Sequence, residues 1–161
     1  MDPIFDAQTG GLRLDGFDLS ISPTLTRSDF EAHTAFGRFT VFVRNEPYCS
    51  FLTQAEIRGE PFHVVLWFFD MGGLWRLTLG TSRREIVGAD WGDYDLPASV
   101  DFHEQWLDEA LGQKALVHPP GDPRQPYVGP VRRLGWATAV VGTDPHNGTS
   151  DIHVDYRDRP S

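Results

Sequence analysis

The sequence predicts an α+β fold, in which a twisted antiparallel β-sheet has one principal helix packed on it and a short N-terminal helix. Three observations support this prediction. Segments rich in β-branched and aromatic residues follow one another closely along the chain. The links between them, such as Asp70–Gly73, are too short for parallel crossovers. An apolar stripe at helical spacing occurs over residues 102–111.

The first half of the chain is predicted to begin with two short extended pieces around a Gly10–Gly11 turn. Thr26 is a candidate N-cap for a short helix that carries Phe30, and Gly37 closes that segment. Four strands are predicted to follow, over residues 38–44, 48–58, 62–69 and 74–79. The third of them is apolar almost throughout, which is typical of a strand buried on both faces.

The principal helix is predicted to begin at Ser99 or Asp101 and to end at Gly112. Its apolar stripe consists of Phe102, Trp106, Leu107, Ala110 and Leu111. The proline-rich segment 118–126 is predicted to be a loop. Two further strands, over residues 131–142 and 151–157, are predicted to be joined by a turn that contains Asn147–Gly148.

Composition and charge restrict the class of protein. The 161 residues, of which 40% are hydrophobic, fit one globular domain over residues 1–161. We expect a cytoplasmic protein without a membrane partner, because there is no signal sequence and no apolar run of about 18 residues. A formal net charge of −9 argues against a nucleic-acid partner and favours a basic protein partner or simply solubility.

Motifs for catalysis and metal binding are incomplete. His103–Leu107 begins like the H-E-x-x-H zinc motif, but Leu107 replaces the second histidine. Cys49 is the single cysteine, which excludes an intrachain disulfide. His153 and Asp155 share a strand face, as a catalytic base and its orienting group would, but no nucleophile is apparent. We therefore predict a protein that is not an enzyme and has no cofactor or metal.

An acidic and aromatic stretch, EIVGADWGDYD at residues 85–95, is the strongest candidate site. Between Arg84 and Lys114 there are 8 acidic residues and no Lys or Arg. Aromatic rings beside carboxylates are typical of interface anchors, although Trp91 and Tyr94 fit equally well as core residues. The three aspartates of the stretch could also bind a cation, but a solvated turn is the simpler interpretation. The candidate partner-binding residues are Asp90, Trp91, Asp93, Tyr94, Asp95, Glu104, Asp108 and Glu109.

Four patterns in the chain suggest a relationship. They are F-D-x-x-T-G-x-L from Phe5, WFFDMGGLWRLTLG, DWGDYDLPASVDFHEQWLDEALG, and a terminal Gly-Trp hairpin that ends in GTSDIHVDY. The chain resembles a group of small proteobacterial proteins, some of which look like immunity proteins encoded beside polymorphic or type VI secretion toxins. The resemblance implies a protein that binds and neutralises a cognate toxin domain and needs no active site. Without an export signal, the toxin would act in the cytosol.

Alternative functions remain open at this point. If the toxin is not basic, the last hairpin around Arg132, Arg133 and Trp136 could make the contact instead. A small enzyme or ligand-binding domain would have a pocket between the sheet and the helix. Its polar groups would be His63, His103, His153 and Asp155. An adaptor for secretion cargo is a third possibility, and the sequence does not indicate an oligomeric state.

Overall fold

Eight antiparallel strands form the main sheet of the described part of the chain, and one long helix lies on one face of it. A computed structural model describes residues 2–112, 116–118 and 129–160, with Trp91 and residues 116–118 described by their backbone only. The strands are β1 (Leu12–Arg13), β2 (Ser20–Ile21), β3 (Thr40–Asn45), β4 (Tyr48–Ile57), β5 (Glu60–Phe69), β6 (Leu74–Thr81), β7 (Leu116–His118), β8 (Val131–Arg133), β9 (Thr138–Asp144) and β10 (Thr149–Asp155). The helices are α1 (Arg27–Ala32), α2 (Arg84–Val87) and α3 (Leu96–Leu111), with 3₁₀ turns at Thr34–Arg38 and Trp91–Asp93.

The strand order in the main sheet is β3-β4-β5-β6-β10-β9-β8-β7, and every neighbouring pair is antiparallel. The C-terminal strand β10 is inserted between β6 and β9, so it lies inside the sheet. Strands β1 and β2 form a separate ribbon of two strands. This architecture confirms the predicted fold class, including the short helix α1. Thr26 caps that helix, since its hydroxyl accepts the Asp29 N–H at 3.0 Å.

Two of the strand predictions are wrong in detail. The Asp6 carboxylate accepts the Gln8 and Thr9 N–H groups, so the segment before Gly10 is a turn, and the first paired strands begin only at Leu12. The predicted strand 131–142 is divided into β8 and β9, because a turn closed by Leu134 N–H and Ala137 O interrupts it. Most of the predicted loop 118–126 lies outside the described residues.

Helix α3 begins earlier than predicted. Its N-cap is Asp95, whose carboxylate accepts the Ala98 N–H at 3.1 Å, and Pro97 lies in the first turn, where a missing N–H is tolerated. Ser99 is buried inside the helix and does not cap it. Gly112 ends the helix in the left-handed conformation, with φ of 60°, as the sequence predicts.

The core fills the space between α3 and the sheet. Trp106 of α3 packs edge-on against Phe62 of β5 at a centroid distance of 4.7 Å, and Leu107 and Ala110 are fully buried beside them. A second aromatic cluster surrounds Phe30 of α1. The pocket that a ligand-binding function would require between sheet and helix is therefore occupied by core side chains in the described part of the chain.

Gly10 is required by a close contact as well as by its backbone conformation. Gly10 and Gly16 both have positive φ, 73° and 75°. A Cβ atom on Gly10 would lie 2.2 Å from the ring of Trp136, whereas a Cβ atom on Gly16 would meet nothing within 4 Å. The two glycines therefore form a matched pair that separates conformational strain from steric overlap.

We predict that Gly16→Ala lowers the free energy of unfolding by about 1–2 kcal/mol, because alanine disfavours positive φ. Gly10→Ala should lower it by roughly 2 kcal/mol more, because Trp136 must also move. Urea unfolding followed by tryptophan fluorescence would measure both values. Equal losses in the two variants would contradict the packing of Trp136 against Gly10.

Candidate functional site

The acidic and aromatic stretch folds as two turns at the N-terminal end of α3. Helix α2 is followed by the 3₁₀ turn Trp91–Asp93, and the Asp95 N–H then donates to the Ile86 carbonyl at 2.8 Å. Ile86 is buried, so this end of the stretch is held against the core. The Asp93 carboxylate accepts the Asp90 N–H at 3.2 Å. Asp90, Asp93 and Asp95 are all exposed.

The candidate partner-binding residues lie in two groups along α3. Asp90 and Asp93 lie in the 3₁₀ turn before the helix, Asp95 caps it, and the other acids follow in its second half. From Asp95 to Asp108 the helix rises by about 20 Å, at about 1.5 Å per residue. The predicted acidic surface is therefore long, and the residues at its two ends have different neighbours in the protein.

At the second end, Arg132 of β8 holds two of the predicted acids. Its guanidinium donates to the Asp108 carboxylate at 2.7 Å and to the Glu104 carboxylate. The Arg132 side chain is only 5% exposed. A buried guanidinium needs such partners, so Glu104 and Asp108 join α3 to the sheet, and part of their charge is neutralised within the protein. Glu109 is exposed on the same half of the helix.

Tyr94 combines the two roles that the sequence left open, that of a core residue and that of a residue at a candidate binding surface. Its hydroxyl lies 2.6 Å from the Ser99 hydroxyl and accepts the Ser150 N–H at 3.1 Å, so the side chain ties the stretch to β10. The residue as a whole is only half-buried, and its ring lines a groove on the sheet. Trp91 lies in the 3₁₀ turn, and its side chain is not among those that the structure describes.

A buried polar cluster behind Tyr94 was not predicted. His103 of α3 is fully buried, and its Nε2 accepts the Thr81 N–H at 2.9 Å. Its Nδ1 must then carry the proton, which it can donate to the Ser150 hydroxyl at 2.9 Å. Burial lowers the pKa of His103 to about 4, with the nearby Asp151 charge opposing that shift. Because both ring nitrogens are engaged, His103 acts here as a cross-link between helix and sheet.

The spacing of Ser99 and His103 is the signal that could have revealed this cluster. They lie four residues apart, and His103 is again three and four residues before the buried Trp106 and Leu107. Residues at these spacings share one helix face. Polar side chains on the buried stripe therefore indicate a hydrogen-bonded network inside the core.

His153 and Asp155 share one sheet face, as predicted, but each contacts a different residue and not the other. His153 Nε2 lies 2.8 Å from the Asp151 carboxylate, and its Nδ1 is 3.1 Å from the Thr78 hydroxyl. Asp155 instead accepts two hydrogen bonds from Arg76 of β6, at 2.6 and 3.1 Å. The strand register explains the choice, because Asp155 lies directly opposite Arg76 and His153 directly opposite Thr78.

The alternative contact around the last hairpin is not a single surface either. Arg132 is buried, and Trp136 stacks on Phe5 at a centroid distance of 5.7 Å. Of the three residues, Arg133 is exposed and Trp136 is partly buried. Arg132 and Trp136 hold other parts of the chain in place, so Arg133 is the most accessible of the three.

A groove opens on the face of the sheet that α3 does not cover. It has a volume of about 490 Å³ and lies beside the segment that leads from α2 to Asp90. His63 of β5 lines it, and burial lowers the pKa of that histidine. Of the four polar residues proposed for a ligand pocket, His63 thus faces this groove and His103 is inside the core. His153 and Asp155 lie on the open face, beside Asp151 and Arg76 respectively.

Two general findings concern the residues that the structure describes. Among them, no group of three or more His, Cys, Asp or Glu side chains is placed to hold a metal ion. No helix in the described ranges is long and apolar enough to cross a membrane.

The geometry defines an α+β protein with an acidic helix end, a covered sheet face and an open sheet face. No family model matches the sequence, and no curated protein matches it. One chain of a solved structure, described as Rhs1-CT in complex with cognate immunity protein RhsI1, has a similar fold, with a TM-score of 0.55. The likeness covers 95% of this chain and 86% of that chain at 15% sequence identity, so what the two chains share is the fold.

We predict that His103 makes the protein less stable in acid. The folded-state pKa of about 4 lies below the unfolded value of about 6.5, so the unfolded state takes up the proton first as the pH falls. The free energy of unfolding should therefore decrease between about pH 6.5 and pH 4, by about 3 kcal/mol from this group. No further loss from His103 is expected below pH 4.

The measurement is the difference in unfolding free energy between the wild type and His103→Gln, followed from pH 7 to pH 4. Glutamine keeps an acceptor and a donor but does not titrate. The advantage of the wild type should shrink as the pH falls. His146→Gln, which changes an exposed turn residue, is the control. A difference that stays constant with pH would refute a buried neutral His103.

We also predict that Arg132→Leu lowers the free energy of unfolding by about 2–3 kcal/mol, because it leaves the mostly buried Glu104 carboxylate without its partner. Arg133→Leu, at the exposed neighbouring position, should change it by less than about 0.5 kcal/mol. Adding Glu104→Gln to Arg132→Leu should recover part of the loss. Urea unfolding of the four proteins, including the wild type, tests this; equal effects at Arg132 and Arg133 would contradict it.

Proposed function

We propose that this protein is an immunity protein, which binds a cognate toxin domain that acts in the bacterial cytosol and neutralises it there. The observation that carries the proposal is the shared fold. The likeness extends over 95% of this chain, and the similar chain belongs to a complex between Rhs1-CT and its cognate immunity protein RhsI1. The sequence patterns described above support the same class of protein.

Two features favour the immunity role over the toxin role for this chain. The buried His103 uses both ring nitrogens for hydrogen bonds to Thr81 and Ser150, so it is not free to act as a general base. The segment between Arg84 and Lys114 also carries 8 acidic residues without a compensating Lys or Arg inside it. Such a surface suits a basic partner, as a toxin with a cleft for phosphate groups would be.

The acidic surface would act mainly by steering. Exposed carboxylates of like sign speed the encounter with a basic partner, and this effect weakens as salt screens the charges. Asp90, Asp93 and Glu109 are exposed, and we assign steering to them. Glu104 and Asp108 would contribute less, because Arg132 already neutralises part of their charge.

The first test is co-expression. The toxin domain encoded beside this gene should arrest growth when it is expressed alone in the cytosol, and growth should recover when this protein is co-expressed. The two purified proteins should form one stoichiometric complex. An adaptor for secretion cargo would instead bind several cargo domains without relieving toxicity. Continued arrest with both soluble proteins present would reject the proposed function.

The charge prediction can then be tested on the purified complex. Asp93→Lys with Glu109→Lys should slow association by about tenfold at low salt and flatten its dependence on salt. Asp18→Lys with Glu56→Lys changes the net charge equally at exposed sites elsewhere and is the matched control. Stopped-flow association rates at several salt concentrations provide the measurement. The same slowing in both variants would mean that only net charge matters, which would remove this surface from the proposal.

A further inference from the structure

The sheet face that α3 does not cover carries a groove whose lining combines apolar side chains with His63 and Asp151. Side chains of β4, β5, β6 and β10 alternate between the two faces, and one set packs under α3. On the other face, His63 lies opposite Gly80, and Val65 opposite Thr78. Gly80 has no side chain to fill the space above it. A depression therefore forms at the centre of this face.

Two walls turn the depression into a groove. One wall is the segment Val87–Asp90 together with the ring of Tyr94. The opposite wall is Phe42 of the edge strand β3, whose ring packs edge-on against Trp67 at 6.1 Å. The resulting groove of about 490 Å³ lies next to the acidic and aromatic stretch and includes part of it.

The edge strand β3 adds exposed apolar side chains beside the groove. Val41, Phe42 and Val43 are 49%, 52% and 39% exposed, which makes them three of the four large apolar residues that are exposed among the described residues. All six residues of β3 are exposed, and within the described residues the strand pairs on one side only, with β4. Contiguous exposed apolar residues beside a groove are typical of a protein-binding surface.

The charge in the groove has one sign. Among the described residues that line it, the charged side chains are Asp90 and Asp151. Asp151 also lies 2.8 Å from His153 Nε2, whereas Asp90 lies at the exposed rim. The lining histidine, His63, has a lowered pKa because of burial, so it adds no positive charge at neutral pH. An apolar floor with carboxylates at the rim complements a side chain with an aliphatic stem and a cationic end.

We propose that the groove receives an arginine or lysine side chain of the toxin, with the stem on Val65 and Val87 and the cation beside Asp90 and Asp151. This inference rests on the proposed function and deepens it by naming the contact. The apolar neighbours of that basic residue would lie on the exposed side chains of β3. Steering by the acidic helix end and anchoring in the groove would then be separate steps of one association.

The direct test uses wild-type protein and two capped tripeptides, acetyl-Leu-Arg-Leu-amide and acetyl-Leu-norleucine-Leu-amide. In an NMR titration, the arginine peptide should shift the backbone amide signals of His63, Val65, Thr78 and Asp151. The norleucine peptide, which keeps the stem but lacks the cation, should bind about tenfold more weakly. Equal binding of the two peptides, or shifts confined to other parts of the protein, would overturn the proposal.

A variant in which both groove carboxylates are replaced by neutral amides provides a second test. Asp90→Asn with Asp151→Asn should weaken binding of the arginine peptide by about tenfold, with little effect on the norleucine peptide. Asp18→Asn with Glu56→Gln removes the same charge from exposed sites away from the groove and the acidic stretch and is the control. Unchanged binding of the arginine peptide in the groove variant, or equal weakening in the control, would overturn the proposal. The comparison of peptides on wild-type protein does not depend on either variant folding.

The toxin complex separates this inference from the proposed function. If the wild type neutralises the toxin and the groove variant binds it with unchanged affinity, the inference is wrong and the function stands. If the toxin binds about tenfold more weakly to the groove variant than to the control, both are supported. If the groove binds the arginine peptide as described but no toxin complex forms, the basic side-chain site stands and the immunity function is rejected.

Discussion

The packing of α3 on one face of the sheet is the constraint on which the rest of the structure depends. In the apolar half of its buried stripe, Trp106 and Leu107 are removed from water. In the other half, Ser99 and His103 form hydrogen bonds with β10 and β6. Apolar contacts alone tolerate small shifts of a helix along a sheet, but buried donors and acceptors must meet particular partners. The polar cluster therefore fixes the position of the helix, and with it the position of the acidic stretch at the groove.

Much of the fold could be predicted because its signals are local. Alternating strand residues, the cap at Thr26 and the αL glycine at the end of α3 depend on neighbours within one turn or one strand. The start of α3 was missed because Ser99 is an equally good cap by residue type, and only its burial among Tyr94, His103 and Ser150 shows another role. That information comes from tertiary packing, to which a local pattern has no access.

The candidate site was less predictable because its contacts are distant in sequence. The acidic charge was visible in the sequence, but the pairing of Arg132 with Glu104 joins residues 28 positions apart across a helix and a strand. Likewise, Asp151 and Asp155 both lie two residues from His153, and only the register of β10 against β6 assigns one to His153 and the other to Arg76. The groove collects residues from β3, β5, β6 and the segment after α2, which no single stretch of sequence brings together.

Substitutions at the acidic residues would consequently differ in their effect on the stability of the fold. Asp95 caps α3, and Glu104 and Asp108 bind a buried arginine, so replacing them would weaken the fold whatever the partner requires. Asp90 is exposed but also caps the turn Trp91–Asp93. Glu109 is exposed, and a change there falls on charge at the surface, where substitutions alter stability little. Under the proposed function, recognition of a particular toxin would therefore be set by the exposed acids and the groove. The Asp95 cap and the Arg132 ion pairs would be retained because the fold requires them. Substitutions at the rim of the groove could therefore change which toxin is bound without moving α3.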